Sequence, residues 1–188
     1  MPEDSYLGNR LLKPTNVPQQ FTKKEVEEYV KCRDDIIYFL KNYVQVIHVD
    51  KGLVPFDLYD YQQDLINTLN EHRYVIVKSA RQSGKSVTSL GYILHYVLFN
   101  KTKIVGMLAN KASTSRELLG RLQTAYQHLP KFLQQGIVEW NKGNLELENG
   151  SKIIASSTSS SAIRGYSFSL LFLDEFAFVQ RTIADAFI

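Results

Sequence analysis

The sequence predicts an α/β fold in which helices flank a mostly parallel central sheet. Short runs rich in Val, Ile and Leu alternate along the chain with longer segments whose apolar residues recur at helical spacing. One run, residues 170–173, is apolar without interruption, which is typical of a central parallel strand covered on both faces. The chain has 188 residues, of which 44% are hydrophobic and 22% charged, enough to bury a substantial core.

The N-terminal part of the chain begins without a regular pattern. Residues 1–20 contain three prolines and little periodicity, so we predict an irregular arm there, followed by one domain over residues 21–188. Thr22 and Glu25 have the spacing of a capping box. They predict the start of a helix over residues 22–41.

The rest of the chain alternates strand and helix patterns. Strands are predicted over residues 74–77, 104–108, 137–140, 144–147, 152–155 and 170–173, and helices over residues 61–71, 86–99 and 113–129. A loop joins the first two helices. A last helix begins near Thr182, and the chain ends at Ile188 inside it, which indicates a C-terminally truncated fragment.

Composition limits the classes of function. The net charge of +3 permits an anionic partner without demonstrating one. Because Cys32 is the only cysteine, the chain can form neither a disulfide framework nor a cysteine zinc site, and a reducing, cytosolic setting fits best. The acidic N-terminus lacks the apolar region of a secretory signal. The longest apolar stretch, residues 87–99, is shorter than the roughly 20 residues of a membrane span, so we expect a buried helix and no membrane partner.

One loop, at the junction of a predicted strand and helix, has a phosphate-binding pattern. It reads Ser79-Ala80-Arg81-Gln82-Ser83-Gly84-Lys85-Ser86. This matches G-x-x-x-x-G-K-[ST], except that Ser79 replaces the first glycine. In such a loop the backbone N–H groups hold phosphate oxygens, Lys85 neutralises the β- and γ-phosphates, and Ser86 is a ligand for Mg²⁺. We therefore expect ATP to bind here; a polar turn that caps a helix is the alternative.

Two charged features complete the predicted site. Asp174 and Glu175 follow the apolar run 170–173, and the carboxyl ends of parallel strands face the ligand crevice. Asp174 can hold the hydrated Mg²⁺, and Glu175 can act as the general base for the attacking water. The alternative is an acidic pair that only begins a helix. Arg81, inside the loop, could be a cation that stabilises charge on the γ-phosphate; the alternative is an exposed side chain or a local salt bridge.

The two motifs together resemble the large terminase subunit of tailed bacteriophages, especially the T-even type. That family has an arginine at the position of Arg81 and lacks the leading glycine. Its Walker B strand ends like Asp174-Glu175-Phe176-Ala177-Phe178. The resemblance covers roughly residues 46–177. It implies a P-loop ATPase domain of the additional-strand, catalytic-glutamate class, a hydrolase that uses ATP and Mg²⁺ to translocate double-stranded DNA into a procapsid.

The resemblance implies three further site residues. Tyr61 and Gln62 occupy the position of the family's adenine-recognising segment, so Tyr61 would stack on the base and Gln62 would bond its edge; a helix start with a buried tyrosine is the alternative. Arg164, in Ala162-Ile163-Arg164-Gly165, corresponds to an arginine that some terminases insert into a neighbouring subunit's ATP site. Arg164 could equally contact DNA or anchor the serine-rich segment before it.

The resemblance also implies partners and a location. These are double-stranded DNA, the portal protein, the small terminase subunit and further copies of the chain on the procapsid, in the host cell cytoplasm. The family's coupling motif and RNase H-like nuclease domain would follow Ile188, so we expect no endonuclease activity from these residues. The alternatives are a superfamily 2-like helicase or remodelling ATPase, and an ATP-gated binding switch without turnover. Glu175 disfavours the switch, because binding alone does not need a base.

Overall fold

The computed structural model describes residues 5–48, 50–159 and 165–185. Its helices are α1 (Lys23–Asp34), α2 (Ile36–Tyr43), α3 (Asp60–Glu71), α4 (Lys85–Phe99), α5 (Ala112–Gln127) and α6 (Arg181–Ala184). Its strands are β1 (Gln45–His48), β2 (Gly52–Pro55), β3 (Ile104–Ala109), β4 (Ile137–Trp140), β5 (Asn144–Leu147), β6 (Lys152–Ser157) and β7 (Leu170–Asp174). Most of the helices and strands predicted from the sequence are confirmed.

The main sheet has five strands in the order β4-β5-β6-β3-β7. β3 pairs in parallel with β6 on one side and with β7 on the other. β5 pairs antiparallel with both β4 and β6. The sheet is therefore mixed, and the prediction of a mostly parallel sheet was wrong. The links from β4 to β5 and from β5 to β6 are tight turns, which can join only antiparallel neighbours.

Two predictions about strands are wrong: the central position of β7 and the strand over residues 74–77. β7 lies at an edge of the sheet rather than at its centre, because in the described chain it pairs only with β3. Residues 74–77 form no strand, and the Ile76 side chain is 97% exposed. β-branched residues favour an extended backbone, but a strand also needs a partner to satisfy its N–H and C=O groups. The missed hairpin β1–β2 lies where the sequence predicted only a loop.

The first predicted helix is two helices, α1 and α2. The Thr22–Glu25 capping box that begins α1 is confirmed, with Glu25 N–H donating to Thr22 Oγ1 and Thr22 N–H donating to Glu25 Oε2. Asp35 leaves the helical region, with φ −129° and ψ 103°, and its carboxylate accepts from Tyr38 N–H at 2.8 Å. Asp35 thus ends α1 and caps α2, which apolar periodicity alone does not reveal.

One carboxylate joins α1 to α2. Glu28 accepts hydrogen bonds from Lys31 Nζ at 2.8 Å, from the Tyr38 hydroxyl at 2.7 Å and from the Tyr43 hydroxyl at 2.8 Å. These bonds, that from Lys31 first, lower the pKa of Glu28 to about 2. The charged form of Glu28 therefore holds the two helices together.

The core lies between the helices and one face of the sheet. α5 packs on β3 and β6, and α4 packs against α5, α2 and α3. The fully buried side chains include Phe39, Leu94, Met107, Leu119 and Ile153, one each from α2, α4, β3, α5 and β6. The N-terminal end of α4 lies beside the carboxyl end of β7. Among the described residues, no helix combines the length and apolar character that crossing a bilayer requires.

The N-terminal arm is attached to the edge of the sheet at β4. Lys13 C=O accepts from Ile137 N–H at 2.9 Å, and Leu12 is buried in the core. The buried Gln134 amide donates to Leu11 C=O and to Leu129 C=O, and accepts from Lys13 N–H. The arm therefore shares the core of the domain. The domain boundary at residue 20 stays a prediction.

Candidate active site

The two predicted motifs meet at the N-terminal end of α4. Ser86, in the first turn of α4, donates from Oγ to Asp174 Oδ1 at 3.5 Å across 88 residues of sequence. Asp174 is the last residue of β7 and pairs with Ala109 at the carboxyl end of β3. Both oxygens are hard donors of the kind that Mg²⁺ takes, and they are close enough to enter one hydration shell.

The electrostatics of the acidic pair also fit a cation. Burial, and then the neighbouring charge of Glu175, raise the pKa of Asp174, while Lys85 and the Ser86 hydroxyl act in the opposite direction. Two adjacent carboxylates with one nearby lysine leave negative charge that a divalent ion would neutralise. In the described chain no group of three or more His, Cys, Asp or Glu residues could hold a metal. Mg²⁺ with nucleotide needs only one or two protein ligands, because phosphates and waters complete its shell.

Glu175 has an unusual backbone conformation. Its φ of 52° and ψ of 34° lie in the left-handed region, which a residue with a side chain rarely adopts. The chain turns here from β7 into a short 3-10 helix, Phe176–Phe178, and the Glu175 side chain is exposed. Strained backbone of this kind is concentrated at functional sites. Glu175 is thereby presented beside Asp174 at the end of the strand.

The 79–86 loop turns sharply into α4. Gly84 is the residue before the helix and has φ 76°, and Gln82 also has a left-handed φ of 61°. The Ser79 and Ser83 hydroxyls form a hydrogen bond at 3.0 Å, which joins the beginning of the loop to its end. Residues 79–82 are exposed. The loop therefore offers its backbone to solvent, next to the helix N-terminus, where an anion is favoured.

The two charged residues of the loop, Arg81 and Lys85, differ in their contacts with the rest of the protein. Arg81 is exposed and makes no hydrogen bond or ion pair within the described chain, so it is free to reach a ligand. Lys85 is half-buried and close enough to Asp174 to oppose the rise in the pKa of Asp174. Arg164 lies outside the described residues. Its role stays a prediction.

The N-terminal end of α3 rests on the loop. The Tyr61 hydroxyl donates to Ser83 C=O at 2.7 Å. Gln62 is 4% exposed, its Oε1 accepts from Tyr59 N–H at 3.0 Å, and its Nε2 lies where a Cβ on Gly84 would be. The structure thus brings Tyr61 and Gln62 to the site as the sequence led us to expect, and both contact the protein itself. Recognition of a base by either stays a prediction.

Sequence reasoning missed Tyr59, whose ring is stacked on that of Tyr61. The two ring centroids are 5.7 Å apart and the planes differ by 8°. Two aromatic residues at i and i+2 do not face each other on a regular helix. Tyr59 has an extended backbone as the residue before α3, which permits the stack. The only sequence signal was a pair of tyrosines flanking a helix start.

The fold is of a known class. The crystal structure of the HK97 bacteriophage large terminase superposes with a TM-score of 0.65 over 82% of this chain, at 21% sequence identity. The match covers 34% of that protein, so this chain spans about a third of its length. At this identity the likeness shows the fold alone: a mixed α/β domain like that of a phage terminase.

The family follows from the sequence. Residues 76–184 match the family described as the terminase large subunit, T4likevirus-type, N-terminal. The matched region is more than half of the chain and contains both the 79–86 loop and the Asp174–Glu175 pair. The chain belongs to this family, as the two motifs predicted.

Proposed function

We propose that this chain is the ATP-hydrolysing part of a viral DNA-packaging motor, with MgATP bound at the 79–86 loop. The observation that carries the proposal is the 3.5 Å contact between Ser86 Oγ and Asp174 Oδ1. A phosphate loop and a metal-holding carboxylate have no structural need of each other, yet they meet across 88 residues. Their meeting supports the proposal of a phosphoryl-transfer site.

Each residue has a role in this proposal. Backbone N–H groups of residues 79–84 and the Lys85 ammonium hold the phosphates, and Ser86 and Asp174 hold Mg²⁺. When bound, Mg²⁺ neutralises charge on the phosphate oxygens. Glu175 takes a proton from the water that attacks the γ-phosphorus, and the bond from that phosphorus to the bridging oxygen breaks to give ADP and phosphate.

Two arginines complete the charge stabilisation. Arg81 is free within the described chain, so it stabilises the γ-phosphate from within the same subunit. Arg164 is proposed to serve a neighbouring subunit's site. That role makes a homo-oligomer on the procapsid the working form, docked in the host cytoplasm with the portal protein and the small terminase subunit.

The test separates binding from turnover. Glu175→Gln in the intact protein should leave MgATP affinity unchanged and abolish phosphate release, because the amide cannot accept the proton. Lys85→Ala should weaken binding itself. Glu117→Gln, at an exposed ion pair with Arg121 on α5, is the matched control and should leave both unchanged. Normal turnover in Glu175→Gln would overturn the catalytic assignment. Wild-type protein that binds ATP and never hydrolyses it would be a binding switch.

Coupling to DNA needs a separate test. Family membership supports double-stranded DNA as the partner, and the net charge of +3 permits it. Candidate DNA contacts among the basic residues are Lys101, Lys103, Lys111, Arg116 and Arg121; the alternative is that they form a solvated surface. Double-stranded DNA should stimulate phosphate release, and the effect should fall steeply with salt. Separation of duplex strands by the intact protein would favour a helicase instead.

A further inference from the structure

A second pocket of the molecule lies where the C-terminal ends of α1, α3 and α4 come together. Its volume is about 380 Å³, which falls within the range of small-ligand sites. We propose that this pocket binds an alkylammonium group, the group that a short diamine and a lysine side chain share. The pocket is separate from the 79–86 loop, because that loop lies at the N-terminal end of α4 and the 15 residues of the helix span about 20 Å.

The three helix ends favour a cation in this pocket. Asp34 is the last residue of α1, Asn70 is the last but one of α3, and Asn100 follows α4; all three line the pocket. The last carbonyl groups of a helix have no partner within the helix, and that end carries a partial negative charge. The C=O groups of Asp34 and Asn70 accept no hydrogen bond from any described residue. They are therefore available to a ligand that donates.

His95 provides a further acceptor in the wall of the pocket. It is 7% exposed, and its Nε2 lies 2.8 Å from the Cys32 carbonyl oxygen. Because a carbonyl oxygen only accepts, Nε2 carries the proton and Nδ1 keeps a lone pair. Burial lowers the pKa of His95, so the ring is neutral at neutral pH. Nδ1 has no hydrogen-bond partner in the described part of the chain, and a buried acceptor of this kind gains from a ligand N–H.

Two tyrosine rings form an adjoining wall of the pocket. Tyr92 and Tyr96 are one turn apart on α4, with ring centroids 6.3 Å apart and planes that differ by 13°. The Tyr92 hydroxyl donates to Leu69 C=O at 3.2 Å, which holds that ring against α3. The face of an aromatic ring attracts an ammonium group. A bare metal ion would instead need several oxygen ligands, so the rings favour an organic cation.

The positive charge of Arg33, which also lines the pocket, is balanced within the chain. Arg33 Nε donates to Asp34 Oδ1 at 2.7 Å, and Arg33 Nη2 donates to Asp34 Oδ2 at 3.2 Å. The guanidinium is thereby engaged at two points. Asp35 adds a negative charge close enough to His95 to act on its pKa. The pocket is therefore better suited to a cation than to an anion.

Short amines test the proposal on the intact protein. Isothermal titration should show that 1,4-diaminobutane, the amide of Nα-acetyl-lysine, or both bind, whereas 1,4-butanediol, which lacks an ammonium group, should not. Selective ¹⁵N labelling of histidine reports the position of the ligand. The Nδ1 resonance of His95 should shift, and those of His48 and His128 should not. Binding of the lysine amide alone would identify a protein side chain as the occupant, and binding of the diamine alone would identify a free amine.

Matched variants test the contacts. Tyr96→Leu removes a ring face and should weaken amine binding about 2- to 30-fold, whereas Tyr96→Phe keeps the ring and should bind as wild type does. Asp34→Asn, at an exposed residue, removes a carboxylate and leaves the Arg33 charge unbalanced, so it should weaken binding about 2- to 5-fold. Asp64→Asn, at an exposed acid of α3 outside the pocket, is the control and should leave the affinity unchanged.

Three results would overturn the assignment. Neither amine may bind at millimolar concentration, phosphate may bind and shift the His95 resonance in their place, or Asp34→Asn and Tyr96→Leu may leave amine affinity unchanged. None of these measurements uses ATP. Failure of the proposed function would therefore leave this inference standing, and the reverse also holds.

Discussion

The same substitution should stabilise the protein in one helix and fail to stabilise it in another. Gly91 lies inside α4 and faces α2, and a Cβ there would be 2.8 Å from Leu40 Cδ2 and 3.3 Å from Phe56 Cε1. Gly120 lies inside α5, and a Cβ there would meet no atom within 4 Å. Gly91→Ala and Gly120→Ala therefore make the same chemical change in helix interiors that differ in packing.

The sizes of two opposing effects decide whether each variant gains or loses stability. Replacing glycine by alanine within a helix stabilises it by about 1 kcal/mol through backbone entropy and shielding. Gly120→Ala should gain that amount. At Gly91 the gain is opposed by overpacking, which costs about 1–3 kcal/mol in a filled core. Leu40 is fully buried and Phe56 nearly so, which leaves the Leu40 methyl little space to move. Gly91→Ala should therefore be neutral or destabilising, by up to about 2 kcal/mol.

Urea unfolding of the two variants beside wild type measures the difference. The midpoint for Gly120→Ala should rise and that for Gly91→Ala should not, with unchanged m-values. If both variants gained equal stability, α2 would not pack against α4 as described, and the placement of the site at the N-terminal end of α4 would lose its support.

Three further changes test other parts of the molecule. Glu28→Gln should lose most stability at neutral pH, and the loss should vanish on acidification. The pKa of Glu28 is lowered from 4.5 to about 2, so its charged form contributes stability that disappears as the pH falls through that interval. Urea unfolding at several pH values measures the loss, and a loss that does not change with pH would contradict the prediction. Gly84→Ala should weaken MgATP binding about tenfold, because an alanine in the left-handed conformation costs about 1–2 kcal/mol and its methyl group collides with Gln62. An unchanged affinity by titration would show that the loop accepts a side chain at residue 84. Gln134→Leu should lower the free energy of unfolding by about 1–3 kcal/mol and make the N-terminal arm sensitive to limited proteolysis. An arm that stays resistant to protease would show that this amide is dispensable.

The sequence predicted helices better than strand partners. The helices α3, α4 and α5 fall close to their predicted bounds, because apolar spacing and capping are local properties of the chain. Residues 74–77 and 170–173 have equally strong strand composition, yet only the second run forms a strand. The residue types of a segment indicate whether its side chains suit a β-strand. It does not report whether another strand lies alongside, which depends on the whole topology.

In the candidate site, too, local features were predicted from the sequence and contacts between distant elements were not. Ser86 and Asp174 were paired from motif chemistry, and the structure joins them because β7 ends beside the start of α4. The contacts of Tyr61 and Gln62 with the loop were not foreseen, since they depend on how α3 packs against α4. Motifs identify the atoms suited to a reaction. The neighbours that position those atoms emerge only from packing.

The missing first glycine of the 79–86 loop has a structural explanation. Ser79 does not have a positive φ, so its backbone does not require glycine, and its hydroxyl bonds Ser83 across the loop at 3.0 Å. Gly84 differs on both counts, with φ 76° and no room for a Cβ beside Gln62. The two glycine positions of the pattern are therefore unequal here, because the second is fixed by backbone conformation and packing whereas the first tolerates a side chain. A departure that weakens the motif as a sequence pattern leaves the geometry of this loop intact.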